Sequence, residues 1–160
     1  MLTQSRLKEL FDYCPDTGIF VRKVNRAATK KGDIAGCLTQ GYYKIRVDRV
    51  LYLSHRLAWL YVHGDMPEII DHVNRIPTDN RIANLRPVTK AQNQQNHGIA
   101  KHNKSGYVGV SWDKERNKWF ACIRHNKKTI GLGRYADIEM AHKAYQQAAS
   151  KYHTHNPYGL

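Results

Sequence analysis

Asp71 and His72 stand side by side at the end of a short apolar run, and the segment that contains them, IDHVNRIPTDNRIANLR, is crowded with asparagines. Asn93 follows in RPVTKAQNQQN. Hydrolysis of a phosphodiester needs a water made nucleophilic, a cation to take up charge on the phosphate, and a means of stabilising the leaving oxygen. Asp71 and Asn93 offer two hard oxygen donors, and His72 offers a base. A divalent ion such as Mg²⁺ prefers oxygen donors and keeps several waters, so one carboxylate and one carboxamide completed by phosphate oxygens make a sensible site. Imidazole, with an unperturbed pKa of about 6.5, is substantially neutral at physiological pH and can accept the proton of an attacking water. Neighbours on a regular strand face opposite ways. Asp71 and His72 therefore serve one phosphate only if the strand end twists or if DNA fills the space between metal and base. The competing reading takes an Asp-His pair as a surface or capping feature and the asparagines as turn formers.

The elements that must position these residues can be read from periodicity and punctuation. Thr3 is placed to cap a short helix with Leu7, Leu10 and Phe11 at helical spacing. Pro15-Asp16-Thr17-Gly18 signals a turn before the strand-like IFVRKV. YYKIRV and VLYL, separated by Asp48 and Arg49, have the spacing of a two-residue hairpin, although without the glycine such turns favour. In HRLAWLYVHG, Leu57, Leu60 and Tyr61 form one helical stripe, and Gly64 is placed to end it. Thr89 and Gln92 have capping-box spacing, which predicts a helix from Lys90 with Asn93 in its first turn. GYVGVSW, KWFACIR and KTIGLGRY read as three strands of an antiparallel meander. Asp137 then caps a helix reaching about Tyr152, with Ala141, Ala144, Tyr145, Ala148 and Tyr152 on one face.

A chain of 160 residues with 26 Lys plus Arg against 13 Asp plus Glu carries a formal charge of +13, which attracts polyanions. Nucleic acid is the first partner this suggests. Residues 1–96 hold 15 basic and 9 acidic side chains and residues 97–160 hold 11 and 4, so the shorter part is the more densely basic. The stretch 97–105 is polar, basic and glycine-containing, and reads as a linker between domains at 1–96 and 106–160. No apolar run approaches the roughly 20 residues of a membrane span, and the N-terminus lacks the apolar core of a secretion signal. A cytoplasmic protein without a membrane partner is expected. Three well-separated cysteines, with no C-x-x-C pair, argue against a disulfide framework and against structural zinc.

The run Asp71-His72, Asn84-Leu85-Arg86, Val88-Thr89 and Asn93 resembles the HNH endonucleases with a ββα-metal active site, over roughly His55 to Asn96. The resemblance implies that His72 is the general base, that Asp71 and Asn93 bind Mg²⁺ or Mn²⁺, and that Asn84 fixes the loop by bonding to backbone around the histidine. HRLAWLY with His55 also looks like the part of these proteins just ahead of the motif. Relatives often carry glycine where this chain has Arg75. If that position needs positive φ, arginine is strained there; it also offers a phosphate contact.

Further on, Tyr107-x-Gly109-Val110, Trp119-x-Ala121-x-Ile123-Arg124, Leu132-Gly133-x-Tyr135 and Ala141-x-x-Ala144-Tyr145 resemble the Apetala-two/ethylene-response-factor DNA-binding domain. That fold lays a three-stranded sheet into the major groove. Alternation puts Val110, Ala121, Ile123, Ile130 and Leu132 on a helix-facing side and Ser111, Phe120, Cys122, Arg124, Thr129 and Gly131 on the open face. Arg124 is the candidate for a base edge, and Lys114, Arg116, Lys118, Lys127 and Lys128 suit phosphates. Trp112, Trp119 and Tyr145 read as core.

The expectation is an α+β chain: a ββα-metal nuclease domain, then a small three-stranded antiparallel sheet packed on one helix. It would be a metal-dependent endonuclease on double-stranded DNA, phage-encoded or homing in type and acting in a bacterial host cytoplasm. As a monomer it would nick; cutting both strands takes a homodimer or two successive nicks. The rival is a non-catalytic DNA-binding regulator on the same scaffold.

Overall fold

Thr3 accepts a hydrogen bond from the Arg6 amide at 3.2 Å and so starts helix α1, Gln4–Leu10. Leu7 and Leu10 are buried; Phe11, which continues the helical spacing, instead opens strand β1, Phe11–Cys14. In the computed structural model, residues 2–26, 28–96, 98–99 and 102–155 are described. They fall into two units, Met1–Thr89 and Lys90–Leu160. Of the expected linker, His97, Ala100 and Lys101 lie outside the described residues.

In the first unit, β1 pairs with β2, Ile19–Arg22, which pairs with β3, Ile34–Ala35. The turn between β1 and β2 bears directly on the site. Gly18 has φ 73°, and a Cβ there would stand 2.5 Å from the Asn80 carbonyl carbon. Only glycine allows that approach. Tyr13 donates its hydroxyl to the Asn80 carbonyl at 2.7 Å, and the Ile82 amide donates to Pro15 O at 3.2 Å. The first hairpin is thus a buttress for the loop around Asn80.

A second sheet is formed by β4, Cys37–Thr39, β5, Tyr42–Val47, and β6, Val50–Leu53, in that order. Val47 pairs with Val50, so Asp48 and Arg49 make the two-residue turn, with φ 44° and 71°. Asp tolerates the left-handed region better than most residues. Its carboxylate is also held by Arg6 at 3.0 Å and Arg26 at 2.8 Å. β6 runs straight into α2, Ser54–His63, which ends on Gly64 in the left-handed conformation with its amide on Leu60 O. β7, Ile70–His72, and β8, Leu85–Pro87, pair antiparallel with Asp71 opposite Arg86 and His72 opposite Leu85. A single 3₁₀ turn, Ile82–Asn84, leads into β8. One core joins these elements, with Leu7, Phe11, Phe20, Ile45, Val47 and Leu57 at its centre.

The second unit begins with α3, Lys90–Gln95, at the position the capping-box spacing predicts. Its sheet has the order β11-β10-β9, formed by β9, Val110–Asp113, β10, Lys118–His125, and β11, Lys128–Tyr135. Asp137 accepts from the Glu139 amide at 3.0 Å and caps α4, Ile138–Tyr152. Ala141 and Ala149 are fully buried, so small side chains let the helix lie close to the sheet. Val110, Ala121 and Ile123 are buried with Tyr145 and Ala148, as alternation predicts. Two details differ. Trp112, expected in the core, is 44 % exposed; it sits on the edge strand β9, where the Trp119 ring meets it edge to face at 4.9 Å. A β-bulge at Ala121/Cys122 pairs Cys122 with Gly131 but Ala121 with Gly133. The extra residue reverses the facing of everything beyond it, so Arg134 lies opposite Phe120 on the open face, its guanidinium 4.9 Å from that ring. The architecture is α+β with small antiparallel sheets. Among the described residues no helix is long and apolar enough to cross a membrane.

Candidate active site

All three residues of β7 are buried, Asp71 at 8 % and His72 at 7 % exposure, so neither polar side chain is a surface feature. Asp71 Oδ2 accepts two hydrogen bonds from the Arg86 fork, from Nε at 3.1 Å and Nη2 at 2.9 Å. That pairing follows from register, since Arg86 is the residue opposite Asp71. A carboxylate has about four acceptor sites, and both Arg86 bonds fall on one oxygen.

The His72 ring packs edge to face against His55, from the first turn of α2, at 4.9 Å. The Tyr42 ring stands 5.8 Å from His55 and 6.3 Å from His72. Asn80 Oδ1 lies 3.4 Å from His72 Nε2, while Asn80 Nδ2 points at Thr78 O. This amide orientation favours the proton on Nε2 and the lone pair on Nδ1. Burial pushes the His72 pKa below its ordinary value, against the opposing pull of Asn80, Asp71 and Asp79. Burial, then the charges of His72 and Arg56, push His55 down to about 4. Both imidazoles are therefore neutral at neutral pH.

Because His55 is buried neutral, the unfolded chain binds more protons than the folded one between the unfolded pKa of about 6.5 and the folded value near 4. The stabilisation is fully present above pH 6.5 and is lost as the pH falls toward 4. A shift of that size is worth on the order of 3 kcal/mol. We expect the thermal midpoint of the wild type to fall steeply between pH 7 and pH 4.5. His55→Phe, which keeps a ring at that place, should flatten that limb. An unchanged limb in the variant would rule His55 out as its source.

The loop after His72 is stitched by Asn84 and Asp79. Asn84 Oδ1 accepts from the Asn74 amide at 3.0 Å, its Nδ2 donates to Asp79 O at 2.9 Å, and its carbonyl accepts from the Val73 amide at 2.9 Å. Asp79 takes Asn74 Nδ2 at 2.7 Å and the Arg81 guanidinium at 2.6 Å, and its carboxyl, with Arg81 as the main cause, is lowered to about 2. Arg75 has φ 62°, the left-handed region in which the side chain of a non-glycine residue costs about 1–2 kcal/mol. The loop closes by turning through that residue, with the Arg75 amide on His72 O at 3.0 Å.

Asn93 lies on α3, in the second unit. Lys114 and Arg116 sit in the β9–β10 turn, where Arg116 pairs with Asp113 and Glu115 at 3.4 Å. Lys118 opens β10, Arg124 is exposed near its end, Lys127 turns with φ 64°, and Lys128 opens β11. Sequence reasoning assigned no role to Asn80, Tyr42, Arg86 or Arg134. The glycine pair at 131 and 133 is a bulge signal that could have revealed Arg134. Tyr42 carries no such signal.

Residues 52–95 match the HNH endonuclease family, and residues 105–155 match the AP2 domain. Protein 3.8 of Escherichia phage T7 is 36 % identical over 85 residues, which cover 49 % of this chain and 70 % of that protein. No solved structure matches the chain.

Proposed function

The chain belongs to the HNH endonuclease family, with an AP2 domain behind its nuclease domain, and from that premise we propose that it hydrolyses phosphodiester bonds of double-stranded DNA with the help of a divalent cation. The observation that carries this is the buried pair Asp71-His72, with an imidazole that burial keeps neutral. His72 takes the proton of the attacking water on the nitrogen that Asn80 leaves with its lone pair. Asn84 and Asp79 hold the loop so that the imidazole keeps its place.

Asp71 and Asn93 would hold Mg²⁺ or Mn²⁺. The donor chemistry fits such an ion: one carboxylate oxygen and one carboxamide oxygen are hard ligands. Among the described residues no three His, Cys, Asp or Glu side chains gather into a metal-holding group, so water and phosphate oxygens would complete the shell. The family match runs unbroken through β7, β8 and α3, which supports reading these as the ββα unit. When bound, the cation neutralises charge developing on the phosphate and the leaving oxygen. Arg75 would contact phosphate beside the loop. In the AP2 domain, Lys114, Arg116, Lys118, Lys127 and Lys128 would hold the backbone and Arg124 a base edge. One active site per chain cuts one strand, so a monomer nicks and a homodimer cuts both. A phage-borne origin accords with the T7 relative, and the reading extends to a homing role in a bacterial cytoplasm.

The test is conversion of supercoiled plasmid, with Mg²⁺, Mn²⁺ or EDTA, by wild type and Asp71→Ala. Nicked or linear product is expected with metal only, and Asp71→Ala should need at least about 10-fold more metal. Tight DNA binding with no product under any divalent ion would instead make the chain a DNA-binding regulator.

A further inference from the structure

On β5, Ile45 and Val47 are buried at 1 % exposure, so Tyr42, Lys44 and Arg46 occupy the alternate positions on the other face of the sheet. Thr39 stands opposite Tyr42 on β4, and Leu53 and Leu51 stand opposite Lys44 and Arg46 on β6. No acidic side chain lies at these positions. The nearest carboxylate along the chain, Asp48 in the turn beyond Val47, is already held by Arg6 and Arg26. At one end of this row, the Tyr42 ring reaches the His55 and His72 rings. A basic row on an acid-free sheet face thus begins at the candidate base.

We propose that this face of β4–β6 is a DNA-contacting surface of the first unit, separate from the AP2 sheet, which guides the backbone of the strand to be cut toward His72. Lys44 and Arg46 take phosphates on one side of the scissile bond, and Tyr42 packs against the sugar or base next to it. Alternate residues of an antiparallel strand recur at roughly 6.8 Å, about two nucleotide steps of ~3.4 Å measured along the duplex axis. That spacing suits a polyanion running along the strand better than an isolated anion. The guanidinium of Arg46 adds a forked donor matched to phosphate oxygens. The inference rests on the nuclease reading of His72 for its meaning, but its test does not depend on cleavage.

The measurement is duplex-DNA binding by the full chain across a salt series, with cleavage followed in parallel. Neutralising two phosphate contacts in Lys44→Ala/Arg46→Ala should lower the slope of log affinity against log salt by about 2. Lys30→Ala/Lys31→Ala removes the same charge from exposed positions in the loop before β3 and should leave the slope nearly unchanged. Lys44→Arg/Arg46→Lys keeps the charge and should keep the slope, which separates a lost contact from a lost fold. A slope unaltered by the alanine pair, or altered equally by the control pair, overturns the proposal. A change seen with duplex RNA but not with DNA overturns it as well. If the wild type binds but cuts nothing, the nuclease reading fails, and the slopes still decide whether this face holds DNA.

Discussion

His72→Ala is expected to lower plasmid cleavage by about 10²–10⁴-fold, the range a positioned general base contributes, and to leave DNA affinity unchanged. The affinity should hold because burial keeps His72 uncharged at neutral pH, so no cation is lost when it is removed. The fold should survive, since the loop is stitched by Asn84 and Asp79 rather than by the imidazole. Removing the ring leaves a space bounded by His55, Tyr42 and Asn80. Added imidazole should therefore recover part of the rate in His72→Ala. In the wild type, the acid limb of the rate profile should lie below the usual histidine value of about 6.5, because the lowered pKa keeps the base form present to lower pH. Cleavage by a folded His72→Ala protein at near wild-type rate would remove His72 from the mechanism.

Gly109→Ala is expected to destabilise the second unit by on the order of 3 kcal/mol, combining about 1–2 for a left-handed backbone with about 1–3 for overpacking. Gly109 has φ 72°, and a Cβ there would stand 2.2 Å and 2.4 Å from the Tyr145 ring and 2.6 Å from Cys122 O. Neither neighbour can retreat easily. Tyr145 is 6 % exposed in a cluster with Ile123, Ala148 and Ala149, and the Cys122 amide is bound to Gly109 O at 2.8 Å. Gly106 supplies the control: its φ is 75°, but a Cβ there would meet nothing within 4 Å, so Gly106→Ala should show the backbone effect alone. Urea unfolding followed by tryptophan fluorescence reads the difference, as Trp112 and Trp119 lie in this unit. A small domain has roughly 5 kcal/mol in total, so DNA affinity should fall with it. Equal stability of the two alanine variants would mean that the close approach of Gly109 to Tyr145 contributes nothing.

Local chemistry was readable wherever it is settled within a few residues. Thr3 and Asp137 cap helices, Gly64 ends one, and the strands of the C-terminal meander fall where alternation puts them, because capping and facing depend only on near neighbours. The hairpin at Asp48-Arg49 formed without glycine; its turn is held by Arg6 and Arg26, which lie 42 and 22 residues away in the chain. Phe11 fits a helical stripe but joins a strand, where β2 supplies the backbone partners that a helix would otherwise provide. Arg134 received no role from the sequence, and its place on the open face opposite Phe120 depends on a single bulge that reverses facing over the rest of the strand.

The chemical inventory was legible in the amino-acid order alone: a carboxylate beside an imidazole, a carboxamide at a helix start, excess positive charge, and the family to which these belong. Residue types and short spacings are written directly in the chain, so they need no fold to be seen. It took the folded chain to bring His55 and Tyr42 against His72, to set the orientation of its proton through Asn80, and to place the grip of Arg86 on Asp71. Those contacts join residues 8 to 30 positions apart. The lowering of the His72 pKa follows from burial, a property of how distant segments close over the ring rather than of the ring's neighbours in sequence.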